Sequence, residues 1–215
     1  MAIVMIAFSG GAGTGKTTIT NRVADVLRSE GYSVEVYGEV FREACRQYGI
    51  TNLDELRKLP RVYTEVEDYA MRLQVVNEKY ARNSDADVAI FDRMLLDYLV
   101  YSVWYLPIDK WAWLVQEWQY EVLKSLERFD AIFMPDVIVS VECARLWDMF
   151  DDGFRVWEDV RVAKEHNAIT KRWLGERFGG KLYELRGSLD ERVSLAVNVI
   201  RRLYNVKSER RVSLK

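Results

Sequence analysis

Residues 2–20 read AIVMIAFSGGAGTGKTTIT. An unbroken apolar run from Ala2 to Phe8 enters Gly10-Gly11-Ala12-Gly13-Thr14-Gly15-Lys16-Thr17, and Ile19, Val23, Val26 and Leu27 then recur at helical spacing. The apolar run is too short to span a bilayer, has no basic flank and meets glycines instead of a small-residue cleavage site. It predicts a buried strand. Residues 10–17 fit G-x-x-x-x-G-K-[ST] between that strand and the helix, which is the setting the pattern needs to hold phosphate.

The glycines permit backbone dihedrals barred to other residues, so successive amides can turn inward on an anion. The helix N-terminus adds partial positive charge at the same point. Gly10 to Thr18 therefore form the candidate nucleotide-binding set: Gly10, Gly11, Ala12, Gly13, Thr14, Gly15, Lys16, Thr17 and Thr18. Lys16 would reach the β- and γ-phosphates and Thr17 would ligate Mg²⁺; the bland alternative is a glycine turn with a chance lysine.

Apolar strand-like runs alternate with helical patterns to the end of the chain. Further strands are predicted at Ser33–Tyr37, Val88–Phe91, Val137–Val141 (with Ala131–Phe133 competing for that place) and Lys181–Leu185. Helices are predicted around Val40–Tyr48, after Thr51, over Val62–Asn83 with Val66, Ala70, Leu73 and Tyr80 inward, on both sides of Pro107, and over Trp157–Phe178. Ser188 and Glu191 form a capping box that opens a last helix with Leu189, Val193, Val197 and Ile200 on its stripe. Strands separated by helices throughout predict an α/β fold with a parallel sheet covered on both faces.

Composition bounds the rest. The 215 residues are 49% hydrophobic and 30% charged, which fits one folded domain and excludes disorder or collagen-like repetition. With 31 basic against 33 acidic side chains there is no global field for nucleic acid or acidic lipid. Two cysteines, Cys45 and Cys143, and one histidine, His166, leave no disulfide framework and no histidine-rich metal site. The expectation is a soluble cytoplasmic protein, with residues 1–204 as one domain and 205–215 as a basic tail.

Asp92 ends the apolar run Val88-Ala89-Ile90-Phe91 and so points a carboxylate at the carboxyl edge of the sheet, where open α/β folds bind ligands. It is the second candidate Mg²⁺ ligand; the alternative is an N-cap for the next helix. Its neighbour is Arg93, where hydrolytic ATPases usually carry a water-activating glutamate. An arginine cannot act as that base but can hold a phosphate or a substrate hydroxyl. No N-K-x-D run marks a GTPase, and no L-S-G-G-Q run a transporter ATPase. ATP is the expected donor, with GTP left open, and transfer to a small acceptor is favoured over hydrolysis.

With these motifs and the segment Asp151-Asp152-Gly153-Phe154-Arg155, the chain resembles the P-loop nucleoside and nucleotide kinases. It looks most like the branch that holds the nicotinamide riboside kinase domain and small AAA-type ATP-binding proteins. Glu39, Arg42 and Glu43 match that branch after strand 2, Asp92, Arg93 and Asp97 after strand 3, and Asp152, Gly153 and Arg155 before the long C-terminal helix. The resemblance implies a three-layer fold with a five-stranded parallel sheet and a helical lid, placed at about 143–160. It also implies that Glu39 faces the acceptor hydroxyl as a base or positioning group, and that Arg155 closes on the transferring phosphate. A solvated loop acid and a surface ion pair are the respective alternatives.

The acceptor implied is a nucleoside or nucleotide, and a thymidylate kinase-like enzyme is a near rival. An NTP-binding regulatory module and a kinase of nucleic-acid ends are the others. Trp104, Trp111 and Trp118 recur at seven-residue spacing beside Trp113 and Tyr120. They are read as core or partner interface, a candidate homodimer contact, before a stacking wall for substrate. His166 is read as a helix-surface residue. The six basic residues between Arg201 and Lys215 are read as a solvated helix end before a nucleic-acid or lipid contact.

Overall fold

The computed structural model describes residues 3–136 and 159–212. In chain order the elements are β1 (Val4–Phe8), α1 (Lys16–Ser29), β2 (Val34–Tyr37), α2 (Val40–Gln47), α3 (Leu53–Arg57), α4 (Pro60–Arg82), β3 (Val88–Asp92), α5 (Leu95–Tyr105) and α6 (Ile108–Arg128). Then come β4 (Ala131–Pro135), α7 (Asp159–Arg177), a 3-10 turn at Gly179–Lys181, β5 (Leu182–Leu185) and α8 (Leu189–Val212). The five strands lie in the order β2-β3-β1-β4-β5, every pair parallel.

Alternation along the strands divides the core in two. Val4, Ile6, Phe8, Val88 and Ile90 face one side and pack against Ile19, Val23 and Leu27 of α1 and Val193, Val197 and Ile200 of α8. Met5, Ala7, Ala89, Phe91 and Ile132 face the other, against α2 to α6. Burying each large apolar side chain contributes about 1.5–3 kcal/mol, which is why both faces must be covered.

Register places the chemistry. Phe8 stands opposite Asp92 on one side and Phe133 on the other, so the loop after β1 and the end of β3 emerge side by side. The strand order reverses at β1, which opens a crevice at the carboxyl edge.

The fourth strand of the sheet is Ala131–Pro135 and not Val137–Val141, which lies outside the described residues. Both runs are apolar; the anchoring of Asp130 decides. Its amide donates to the Met5 carbonyl at 2.7 Å, its carboxylate accepts the Met5 amide at 2.9 Å, and Lys207 Nζ reaches the same carboxylate at 2.6 Å. Those bonds fix the chain beside β1 one residue before Ala131.

Two stripe positions also differ. Tyr80 on α4 and Leu189 on α8 are exposed, while Glu67, Gln74 and Glu78 are buried on α4 where purely apolar packing was expected. Buried polar partners explain the last pair: Ser125 and Arg128 on α6 donate to Glu78 at 2.7 and 2.8 Å, and Gln74 donates to the Arg93 carbonyl at 3.3 Å. No helix among the described residues is long and apolar enough to cross a membrane.

Candidate active site

The loop between β1 and α1 turns through three glycines at positive φ, Gly10 (130°), Gly13 (71°) and Gly15 (83°), the last being the N-cap of α1. Side chains from α5 and α7 hold its rear half. Asp97 accepts the Ser9 hydroxyl at 2.7 Å and the Gly10 amide at 3.1 Å, Asn167 accepts the Gly11 amide at 2.9 Å, and the Tyr101 hydroxyl accepts the Ala12 amide. Asn167 also donates to the Pro135 carbonyl at 3.1 Å, tying the loop to the end of β4. Gly13, Gly15, Lys16, Thr17 and Thr18 line a cavity of about 200 Å³.

Lys16 is buried and donates to the Gly11 carbonyl at 2.6 Å. Burial, with Arg93 nearby, lowers its ammonium to about 8. Thr17 Oγ1 donates to Asp92 Oδ2 at 2.5 Å. Asp92 Oδ1 is buried and has no hydrogen-bond partner among the described residues. Burial raises the Asp92 carboxyl above its usual range, against the pull of Lys16. An orphaned carboxylate oxygen beside a hydroxyl, at a loop of phosphate-binding form, suits a hard cation such as Mg²⁺, which takes one or two protein oxygens and completes its shell with phosphate and water. Capping is not the task of Asp92: the N-cap of α5 is Met94, whose amide bonds Asp97 Oδ2 at 2.9 Å.

Arg93 adopts φ of 101°, a conformation costly for a side-chain-bearing residue and typical of functional sites. Its amide donates to the Phe8 carbonyl at 3.0 Å, continuing the β1–β3 seam into the loop. The guanidinium bonds Glu39 Oε1 at 2.7 Å and the Gly10 carbonyl at 3.3 Å, and lies 4.9 Å from the Tyr101 ring centre. Burial opposes the charge of Glu39, but Arg93, Lys16 and Arg42 outweigh it and hold the carboxyl below its usual value. Glu39 is therefore an ionised carboxylate fixed at the mouth of the loop.

Beyond this pair the same cavity is walled by Phe41, Tyr63, Tyr98, Tyr101 and Tyr105, with Glu67 among them. The Tyr63 and Tyr105 rings lie 5.8 Å apart and Arg57 covers the Tyr105 face at 4.0 Å. The cavity thus has a polar end built for phosphate and an aromatic end, joined at Arg93–Glu39.

Comparison with known proteins matches residues 5–192 to the model of an AAA domain. The chain belongs to that family. Over 61 residues, 27% of this chain and 33% of the relative, it is 41% identical to a probable adenylyl-sulfate kinase of Aeropyrum pernix. Among solved structures, NadR protein in complex with NR superposes with a TM-score of 0.71 at 22% identity, covering 94% of this chain and 51% of that one. Deoxyadenosine kinase from M. mycoides, with products dcmp and dcdp bound, gives 0.68 at 18% identity, covering 93% and 100%. The chain spans about half of NadR and a third of the sulfate-kinase relative. The five-stranded parallel sheet with helices on both faces is the fold the resemblance implied, and NadR and deoxyadenosine kinase share it.

The structure brings Lys16, Thr17, Thr18, Glu39, Asp92 and Arg93 to one cavity. Arg155 and the lid segment up to residue 158 lie outside the described residues. His166 is not a surface residue: it is fully buried, 4.6 Å from the Tyr101 ring centre and 3.2 Å from Asp97 Oδ1. Burial, then Arg93 and Lys16, hold its imidazole well below its ordinary value, so it is neutral. The tryptophans do not wall the cavity. Trp118 is buried and donates to Asp68 at 2.8 Å, Trp111 donates to the Leu99 carbonyl at 3.2 Å, and Trp104 to Glu165 at 3.0 Å.

Sequence reasoning missed Tyr63, Glu67, Tyr98, Tyr101, Tyr105, His166 and Asn167. A signal existed in Tyr98, Tyr101 and Tyr105, spaced three and four apart on one helix face, but the more conspicuous tryptophans masked it.

Proposed function

We propose that this AAA domain is an ATP- and Mg²⁺-dependent phosphotransferase acting on a nucleoside- or nucleotide-like small molecule. One observation carries the reading: a single cavity joins the phosphate loop to an aromatic compartment, and the Arg93–Glu39 ion pair stands at the junction. A hydrolase needs room for water there; an aromatic compartment of this kind suits a ring-bearing acceptor.

The loop amides and Lys16 hold the donor phosphates, and Thr17 with Asp92 would hold Mg²⁺. Bound there, the metal would neutralise charge on the donor phosphates. Glu39 accepts the hydrogen bond of the acceptor hydroxyl and takes its proton. The acceptor oxygen bonds the γ-phosphorus as the bond to the β–γ bridging oxygen breaks, and ADP leaves. Arg93 positions Glu39 and stabilises negative charge at the transferring group. The likeness in fold to a deoxyadenosine kinase and to an NR-bound NadR protein supports this reading of the acceptor compartment, and Arg155 keeps the lid role suggested by its motif.

The test is a coupled ADP-release screen over nucleosides, nucleotides and nicotinamide riboside with the full chain. ATP consumption is expected to depend on one acceptor class. Equal consumption with and without every acceptor would overturn the proposal and favour a slowly hydrolysing regulatory module.

A further inference from the structure

Two polar atoms at the aromatic end of the cavity have no partner among the described residues: Glu67 Oε2 and the Tyr98 hydroxyl. Both side chains line the cavity and both are almost fully buried, at 1% and 2% exposure. Unpaired buried polar groups destabilise a fold, and two of them on side chains that line one cavity are groups whose bonding a bound molecule would complete. The Glu67 carboxyl is otherwise engaged by the Tyr63 and Ser102 hydroxyls.

We infer that Glu67 and Tyr98 determine acceptor specificity by hydrogen bonding the edge of its ring, and that the ring is an uncharged planar heterocycle presenting a carbonyl or ring nitrogen there. This rests on the phosphotransferase reading of the same cavity. The walls supply the shape: Phe41, Tyr63, Tyr101 and Tyr105 line this end of the cavity, and such an aromatic lining suits a flat ring. Chemistry supplies the sign. Burial lifts the Glu67 carboxyl to about 8, with Glu39 adding to the rise while Tyr63 and Arg93 oppose it. At neutral pH it is a protonated donor. Burial likewise keeps the Tyr98 phenol as O–H. Cys45, facing Glu67 from α2, is pushed to about 12 and is neutral too. The charged groups around this end are Arg93, Arg42 and Arg57 with Glu39, and Glu39 is held by Arg93 at 2.7 Å and by Arg42 at 3.5 Å. Two neutral donors therefore meet the ring, and a fixed cation on it would find no free anion.

The experiment separates binding from turnover. Binding of adenosine, cytidine, uridine, guanosine and cationic nicotinamide riboside to the full chain is measured by calorimetry at pH 7, without ATP. At least one uncharged nucleoside is expected to bind at least about tenfold more tightly than the cation. Tyr98→Phe should weaken that nucleoside by about tenfold. It should also leave the melting temperature unchanged or raised, because it removes only an unpaired buried hydroxyl. Glu67→Leu should cost a similar factor, and Glu67→Gln should recover most of it as a neutral donor of the same shape. The inference is overturned if the cation binds best, if no nucleoside binds, or if Tyr98→Phe and Glu67→Leu leave affinity unchanged. ADP release with the same nucleoside reports separately: binding without transfer overturns the phosphotransferase and keeps the ring site, while transfer untouched by both variants does the reverse.

Discussion

Thr17 Oγ1 donates to one oxygen of Asp92 at 2.5 Å, and the other Asp92 oxygen is buried with no partner among the described residues. Such a pair is costly unless a cation completes it. Asp92→Asn should therefore lower turnover at least about tenfold and raise the Mg²⁺ concentration needed for half-maximal rate, because the amide carries no charge. Titrating Mg²⁺ against rate in both proteins checks this. Unchanged kinetics would remove Asp92 from the metal site.

Lys16→Ala should abolish most phosphoryl transfer and spare the fold. Lys16 is buried, its ammonium is already lowered to about 8 by burial, and its hydrogen bond goes to the carbonyl of Gly11 within its own loop. Losing the cation removes about 3–4 kcal/mol of transition-state stabilisation, a factor of roughly a hundred to a thousand in rate. Rate and melting temperature are measured together. Full activity at an unchanged melting temperature would sink the phosphate-loop assignment.

Asn167→Ala should weaken ATP binding from outside the phosphate contacts. Its side chain bridges the Gly11 amide and the Pro135 carbonyl, so alanine leaves two buried groups unpaired at about 1–3 kcal/mol each. Calorimetry with ATP and denaturant unfolding should both register the loss. An ATP affinity equal to wild type in a destabilised protein would confine Asn167 to the fold.

Glu67 gives stability a pH slope of known sign. Its carboxyl is raised to about 8 from an ordinary 4.5, so between those values the folded chain keeps a proton that the unfolded chain releases. The contribution is complete below the unfolded value and drains as pH rises, at up to about 1.4 kcal/mol per pH unit. Unfolding free energies of wild type and Glu67→Gln, compared at pH 5 and pH 8, should diverge in favour of the variant at pH 8. A constant difference would show that Glu67 is ionised in the fold.

The parallel sheet and the phosphate loop were legible because each rests on local pattern: an apolar run, glycines at fixed spacing, a helical stripe. The capping box at Ser188 and Glu191 was legible for the same reason, and its two bonds are present at 2.7 and 3.3 Å. The fourth strand was not, since Ala131–Phe133 and Val137–Val141 are equally apolar and only contacts 125 residues apart, Met5 to Asp130, set the choice. His166 failed likewise. Nothing near it in sequence announces Asp97 and Tyr101, which reach it from α5. The apolar stripe of α4 gave no sign of Glu67 and Glu78, which are buried where α5 and α6 pack against that helix.

Gly11 occupies a position where the phosphate motif accepts any residue. In this chain it is nonetheless fixed, because a methyl group there would overlap the Cα and Cβ atoms of Ala163 on α7. Ala163 is itself wholly buried. The two positions form a volume-locked couple across 152 residues of sequence. Enlarging either one forces α7 off the loop, so variation tolerated at 11 should appear only in backgrounds where the α7 backbone has shifted outward. Libraries that randomise the permissive letters of the loop will find this one closed.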